Sequence, residues 1–269
     1  MKNKLIAAPY LVWMFVFILV PLIMVGYFAF TDKDGNFTLD YVADVAQYSQ
    51  IFVRSIWLAA IATVICLVIS YPLAYILTGF SKNVQSTMLM IVMLPMWMNF
   101  LLRTYAWMTM LGNNGIINTI LGFIGLGPFK MLNTEGAVVL GMVYNYLPYM
   151  ILPIYSVMVK IDKSVIEAAS DLGCNPWKTI LRVVFPLSLP GVMSGITMVF
   201  VPAISTFIIS RMLGGGGNLL IGDLIEMQFL GNAYNVNLGA AISLVLMVII
   251  LLIMTIMNQF DNDDGAVLL

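Results

Sequence analysis

The sequence predicts an all-α integral membrane protein, a single domain over residues 1–269 with six transmembrane helices. Two observations lead there. Hydrophobic residues make up 61% of the chain and charged residues 9%, giving a mean hydropathy of +0.99. The uncharged residues also fall into long runs. A soluble domain carries about a quarter of its residues as charges, and a surface this poor in charge faces lipid. The hydrocarbon core is ~30 Å thick, so a spanning helix takes about 20 apolar residues. Runs at 5–30, 55–80, 84–102, 136–159, 183–210 and 238–258 meet that length.

Taken in order, the first run follows Lys2 and Lys4, as a signal peptide would. It is longer than the 7–15 apolar residues of a signal core and has no small-x-small cleavage site, so it reads as a retained helix. The turn after it is marked by Asp32, Lys33, Asp34, Gly35 and Asn36. Residues 113–135 form a glycine-dotted connection that predicts a short interfacial helix, and 214–236 form a second outer loop with a run of glycines at 214–217. Placing the N-terminus inside puts Lys2, Lys4, Lys82, Lys160, Lys163, Lys178 and Arg182 in the cytoplasm. Lys33, Arg54, Lys130 and Arg211 then lie outside, which satisfies the excess of Lys and Arg on the inner side. Both termini are expected in the cytoplasm, although the tail at 261–264 is acidic.

Several functions are disfavoured by composition. A net charge of −1 argues against a nucleic-acid partner. There is no histidine, the commonest general base and zinc ligand. Cys66 lies in an apolar run and Cys174 in a charged loop, so neither a disulfide nor a thiolate metal site is expected. The 21 methionines read as packing residues. No Gly-x4-Gly-Lys-[Ser/Thr] motif occurs, so ATP is not bound here through a P-loop.

The polar segment 160–182 carries the chemistry. Ser164 and Glu167 read as a capping box, followed by a helix to Leu172 that Gly173 ends in a left-handed conformation. Asn175 caps a second short helix with Pro176 at its first position. Within this segment Glu167-Ala168-Ala169, three residues, Gly173, nine residues and then Val183-Val184-Phe185-Pro186 resemble the E-A-A-x3-G-x9-I-x-L-P loop of ABC importer permeases. Val and Phe replace the family's Ile and Leu while keeping apolar bulk. The resemblance implies the type I importer permease fold, with Glu167, Ala168, Ala169, Asp171 and Gly173 forming a coupling helix that docks on a separate ATPase subunit.

Over nearly the whole chain the sequence resembles the PotB-type permeases of spermidine/putrescine importers. The resemblance is carried by Leu94-Pro95-Met96-Trp97-Met98-Asn99, Arg103-Thr104-Tyr105, the run from Gly141 to Pro153, Asn218 to Gly222, and Gln228-Phe229. It implies a bacterial inner-membrane location, a second permease of like fold, two ATPase subunits that bind ATP and Mg, and an external substrate-binding protein. No cofactor is expected on this chain.

A polyamine wants carboxylates, aromatic faces and apolar walls. Asp223 and Glu226 stand at helical spacing and could face one direction as substrate contacts or in docking a binding protein. Trp97, Tyr105, Trp107, Tyr144, Tyr146 and Tyr149 could line a path or form the interfacial aromatic belt. Asn99 and Asn145 are expected to bond between helices or line a path. Arg103 is expected to snorkel to the outer interface, and prolines 148, 153, 190 and 202 to kink their helices. An importer of a different solute, an ion-coupled secondary transporter and an intramembrane hydrolase are the competing functions. The last two lack carboxylates or a Ser–Lys pair within the central spans.

Overall fold

The computed structural model describes the backbone of residues 8–231 and 233–265, and side chains from 9 to 257 within them. Lys2 and Lys4, on which part of the orientation rests, lie outside the described residues, as do the side chains of the acidic tail. Apart from one antiparallel bridge between Thr31 and Phe37, the described residues contain helices and connections only.

The first span, α1, runs through Ala8–Met14, a π-helical turn Phe15–Leu19, and Val20–Ala29. The second, α2, covers Asp40–Thr78. A turn leads to α3 (Lys82–Trp97), which is followed by α4 (Phe100–Leu111) and the short α5 (Ile116–Phe123). Next come α6 (Glu135–Met158), α7 (Lys163–Asp171) and α8 (Pro176–Ile204). The chain ends in α9 (Ile208–Gly214), α10 (Ile221–Leu230) and α11 (Val236–Gly265).

The centre of the bundle is α6, which packs against both α2 and α8. In its most apolar 18-residue window 56% of residues are buried within the chain, against 0% for α1. Thus α6 is the core helix, while α1 touches mainly α11 and offers its apolar surface outward. Close packing of α8 on α6 requires a small residue at Gly191, where a Cβ would lie 2.8 Å from the Pro153 carbonyl oxygen. Hydroxyls in this core bond to their own helices, as Thr63 does to the Ala59 carbonyl (2.7 Å), or across helices, as Tyr71 does with Ser188 (3.1 Å). No buried hydroxyl in these pairs is left without a partner in hydrocarbon.

Two runs expected to span as single helices do not. The run at 84–102 breaks after Trp97, and the axes of α3 and the α4–α5 segment differ by 86°. Pro95 removes a backbone donor near the end of α3, and Met98 (ψ 148°) and Asn99 (ψ 130°) are extended. Asn99 starts a new helix by accepting from the amides of Leu101 (2.9 Å) and Leu102 (3.3 Å). Its amide is therefore a helix cap rather than a link between helices. The run at 183–210 is displaced instead. Its helix begins at Pro176 and stops at Ile204, leaving α9 as a separate element. The prolines at 148, 153, 190 and 202 lie inside α6 and α8, which continue through them as helix.

The break at 205–207 receives the start of α10. A Cβ at Gly222 would sit 2.4 Å from the Ser205 carbonyl oxygen and 2.6 Å from that of Thr206. Backbone cannot yield as a flexible side chain does, so Gly222→Ala should destabilise by about 1–3 kcal/mol through overpacking. Gly26→Ala, with open space around the added methyl, should leave stability unchanged. Thermal loss of monodispersity in detergent, measured for both variants, checks the difference.

Candidate coupling surface and outer polar cluster

The segment between α6 and α8 folds as expected at its end and differently at its start. Asp162, not Ser164, is the N-cap of α7, and its carboxylate accepts from the Ser164 amide at 3.0 Å. Its backbone is extended (ψ 132°), and a carboxylate complements the positive end of the helix. The helix therefore begins at Lys163, which leaves Glu167 mid-helix and outside any capping box. At the other end Gly173 (φ +80°) adopts the left-handed conformation. The Cys174 amide bonds the Ala169 carbonyl (3.0 Å) and the Gly173 amide that of Ser170 (2.9 Å), a Schellman closure. Asn175 then accepts from the Lys178 amide at 2.8 Å, with Pro176 at the first helical position. The helix it starts is no short one. It passes through a π-helical turn (Ile180–Val184) directly into the fifth span.

Glu167, Ala168 and Asp171 face solvent, whereas Ala169 is buried at 7% exposure against the start of α8. The same surface carries large apolar side chains: Leu172 is 86% exposed and Trp177 68%, with Val165 and Leu181 also exposed. These were not among the residues singled out by motif. The signal in the sequence is an apolar residue on either side of the Gly-Cys-Asn turn in an otherwise polar loop. Behind α7 a cavity of about 380 Å³ separates it from the end of α2, lined by Tyr75, Thr78, Ile161, Lys163, Ile166 and Glu167.

At the opposite end, Asp223 and Glu226 are turned apart rather than toward one ligand. Asp223 is 1% exposed; it accepts from Ser210 Oγ (2.5 Å) and from the Leu220 amide (3.0 Å), closing the N-terminus of α10. Burial pushes its carboxyl above the ordinary aspartate range, against the lowering effect of those bonds and of Arg211. Glu226 pairs with Arg211, which holds its carboxyl below the usual range. Nearby, Arg54 on α2 donates from Nε to Glu135 Oε1 (2.8 Å) and from Nη2 to Asn218 Oδ1. This ties two spans to the glycine loop.

Arg103 does not snorkel outward. It is 8% exposed, and its Nε and Nη1 are buried without a partner among the described residues, the guanidinium carbon 6.0 Å from the Phe100 ring centroid. The bend before α4 redirects this helix, so the end of the apolar run is not its outer end. Asn145 is 2% exposed and donates to the Gly141 carbonyl of its own helix (2.8 Å). Trp97 (80% exposed), Tyr105 and Tyr149 present open rings. Trp107 and Tyr144 meet edge to face at 5.4 Å beside a groove of about 730 Å³ whose other wall includes Leu58, Ile61 and Ile65. Tyr146 is buried and donates to the Pro202 carbonyl at 3.3 Å, which takes it out of any aqueous path.

A bundle of membrane helices interrupted by a polar helix pair of this geometry is the architecture of an ABC importer permease. The chain matches the family described as binding-protein-dependent transport system inner membrane component over residues 2–262, and it belongs to that family. It is 36% identical over 261 residues to the spermidine/putrescine transport system permease protein PotB of Haemophilus influenzae, covering 93% of this chain and 91% of that one. It is 35% identical to the PotB of Escherichia coli, covering 88% and 90%. Among solved structures, a bacterial ABC transporter importing alginate superposes with a TM-score of 0.78 at 20% identity, over 97% of this chain and 96% of that one. The MetNI methionine transporter gives 0.58 at 15%, over 80% and 95%. These two show the shared fold.

The Asp162 carboxyl is fully exposed and is lowered by its bonds to Ser164. A lowered folded value means that the cap's contribution is complete above the ordinary value of 3.8 and is lost as pH falls below it. Protection of the amides in the first turn of α7, taken as their exchange rate relative to that of an unstructured amide at the same pH, should therefore fall on acidification through that range. In Asp162→Asn this pH dependence of protection should disappear.

Proposed function

We propose that this chain is one of two permease subunits of an ATP-driven polyamine importer of the bacterial inner membrane, with both termini in the cytoplasm. The observation that carries the substrate class is the similarity to spermidine/putrescine permeases across about nine-tenths of the chain. The other subunits would be a second permease of like fold, two ATPase subunits that bind ATP and Mg, and an external binding protein. The alginate transporter solved with its periplasmic protein supports an assembly of this kind.

The coupling step follows from the shape of the segment around α7. Leu172 and Trp177 stand out from a polar surface next to Glu167 and Asp171. Apolar side chains so exposed are of the kind that anchor an interface when a groove receives them. The groove would belong to an ATPase subunit. The Schellman closure and the Asn175 cap make α7 and the start of α8 one stiff corner, so displacement of α7 tilts the fifth span. Paired closure of the ATPases would then alternate access to a path between the two permeases.

For the path, the open aromatic faces of Trp97, Tyr105 and Tyr149, with Tyr144 beside Trp107, suit ammonium groups and methylenes together. Asn99 stands at the bend between α3 and α4 with its carbonyl group committed to the cap. Asp223 and Glu226 serve the outer closure rather than the path.

The test is ATP hydrolysis by the reconstituted complex with its binding protein, comparing spermidine, putrescine and a neutral solute. Polyamines should stimulate wild type. Replacing Leu172 and Trp177 together by Ala should weaken ATPase association by at least 2 kcal/mol, about thirtyfold, and Glu167→Ala should reduce the stimulation. A complex stimulated only by another solute overturns the polyamine assignment and leaves the permease assignment standing.

A further inference from the structure

On the inner side one buried amide joins three spans near α7. Gln85, in the first turns of α3, is 8% exposed. Its Nε2 donates to the carbonyls of Thr78 (3.2 Å) and Phe80 (2.8 Å), at and just beyond the end of α2. Its Oε1 accepts from the Tyr155 hydroxyl of α6 at 2.9 Å. The orientation of the amide is set by these neighbours, since a reversed amide would point its oxygen at two carbonyl oxygens. Helix ends leave carbonyls without intrahelical donors, and Gln85 supplies two of the missing donors while holding α6 by its remaining polar atom.

The position of this link makes it mechanical. Tyr155 lies one turn before the end of α6 at Met158, from which a short turn leads to Asp162 and α7. Direct packing between α7 and the end of α2 is interrupted by the 380 Å³ cavity. The closest helical support of α7 is instead the start of α8. Motion of α7 therefore has a direct route into α8, but reaches the α2–α3 turn through the end of α6 and the Tyr155–Gln85 bond.

We propose that Gln85 is a positioning residue for transport: through Tyr155 it locks the inner ends of α2, α3 and α6 into one body. Displacement of α7 then moves the inner mouth as well as the fifth span. The inference rests on the importer reading of the chain and not on the identity of the solute. Two discrete arrangements biased by one contact are what coupling across a protein requires. Losing the contact should separate hydrolysis from transport rather than abolish either.

The experiment measures radiolabelled spermidine uptake and ATP hydrolysis together in proteoliposomes of the full complex with its binding protein. Wild type, Gln85→Ala, Tyr155→Phe and the double variant are compared. Tyr155→Phe removes one oxygen from a side chain that otherwise keeps its packing, so it carries the test if Gln85→Ala fails to assemble. The expected result is ATP hydrolysis close to wild type, with solute moved per ATP lowered about threefold or more. The double variant should be no worse than the worse single one, because both substitutions break the same link.

Uptake and hydrolysis falling in proportion would overturn the proposal, as would unchanged ratios or losses that multiply in the double variant. If wild type itself neither hydrolyses ATP in response to the loaded binding protein nor takes up spermidine, the polyamine reading fails instead. The same ratio is then measured with the solute that does stimulate the complex.

Discussion

A peptide group inside hydrocarbon has no water to bond, so each backbone donor and acceptor of a spanning segment must be satisfied within the protein. Everything else in this chain follows from where that requirement is met by helix and where side chains take over. At the bend after Trp97 the free amides of α4 are met by Asn99. At the turn after α2 the carbonyls of Thr78 and Phe80 are met by Gln85. At the start of α10 the Leu220 amide is met by Asp223. Each of these three interruptions of the helical ladder carries a polar side chain that takes up the freed backbone groups.

Packing around α6 is governed by the same economy of space. Two spans lie against it, one through glycine contacts and the other through a row of small residues on α2, including Ala59 and Ala62, that are fully buried. In a membrane no hydrophobic force draws helices together, and close approach of backbones takes its place. The peripheral α1, with none of its apolar window buried, touches mainly α11.

Charges mark the two ends of the molecule differently. At one end Arg54, Glu135 and Asn218, and Arg211 with Glu226, close the chain on itself. At the end that carries α7 its charges are left open to solvent beside exposed Leu172 and Trp177. The first pattern holds elements of one chain together, while the second leaves charged and large apolar side chains exposed side by side. Arg103 is the exception, a buried guanidinium whose Nε and Nη1 have no acceptor among the described residues.

The sequence by itself determined that the chain is a helical membrane protein, because apolar runs of spanning length are a property of composition along the chain. It also determined the turn between α7 and α8. Gly173, Asn175 and Pro176 act through local backbone geometry, which each residue carries with it. Tertiary structure alone decided which helices are interrupted and which polar groups are taken. A run at 84–102 is apolar enough to span, and only the placement of its second half across α6 and α9 makes an 86° bend at Asn99 favourable. Spacing put Asp223 and Glu226 on one helical face. Their partners, Ser210 and Arg211, come from another element, and those contacts turn one carboxylate inward and the other aside. Exposure of Trp177 and burial of Arg103 run against their residue types. Both depend on neighbours distant along the chain, which hydropathy and periodicity do not encode.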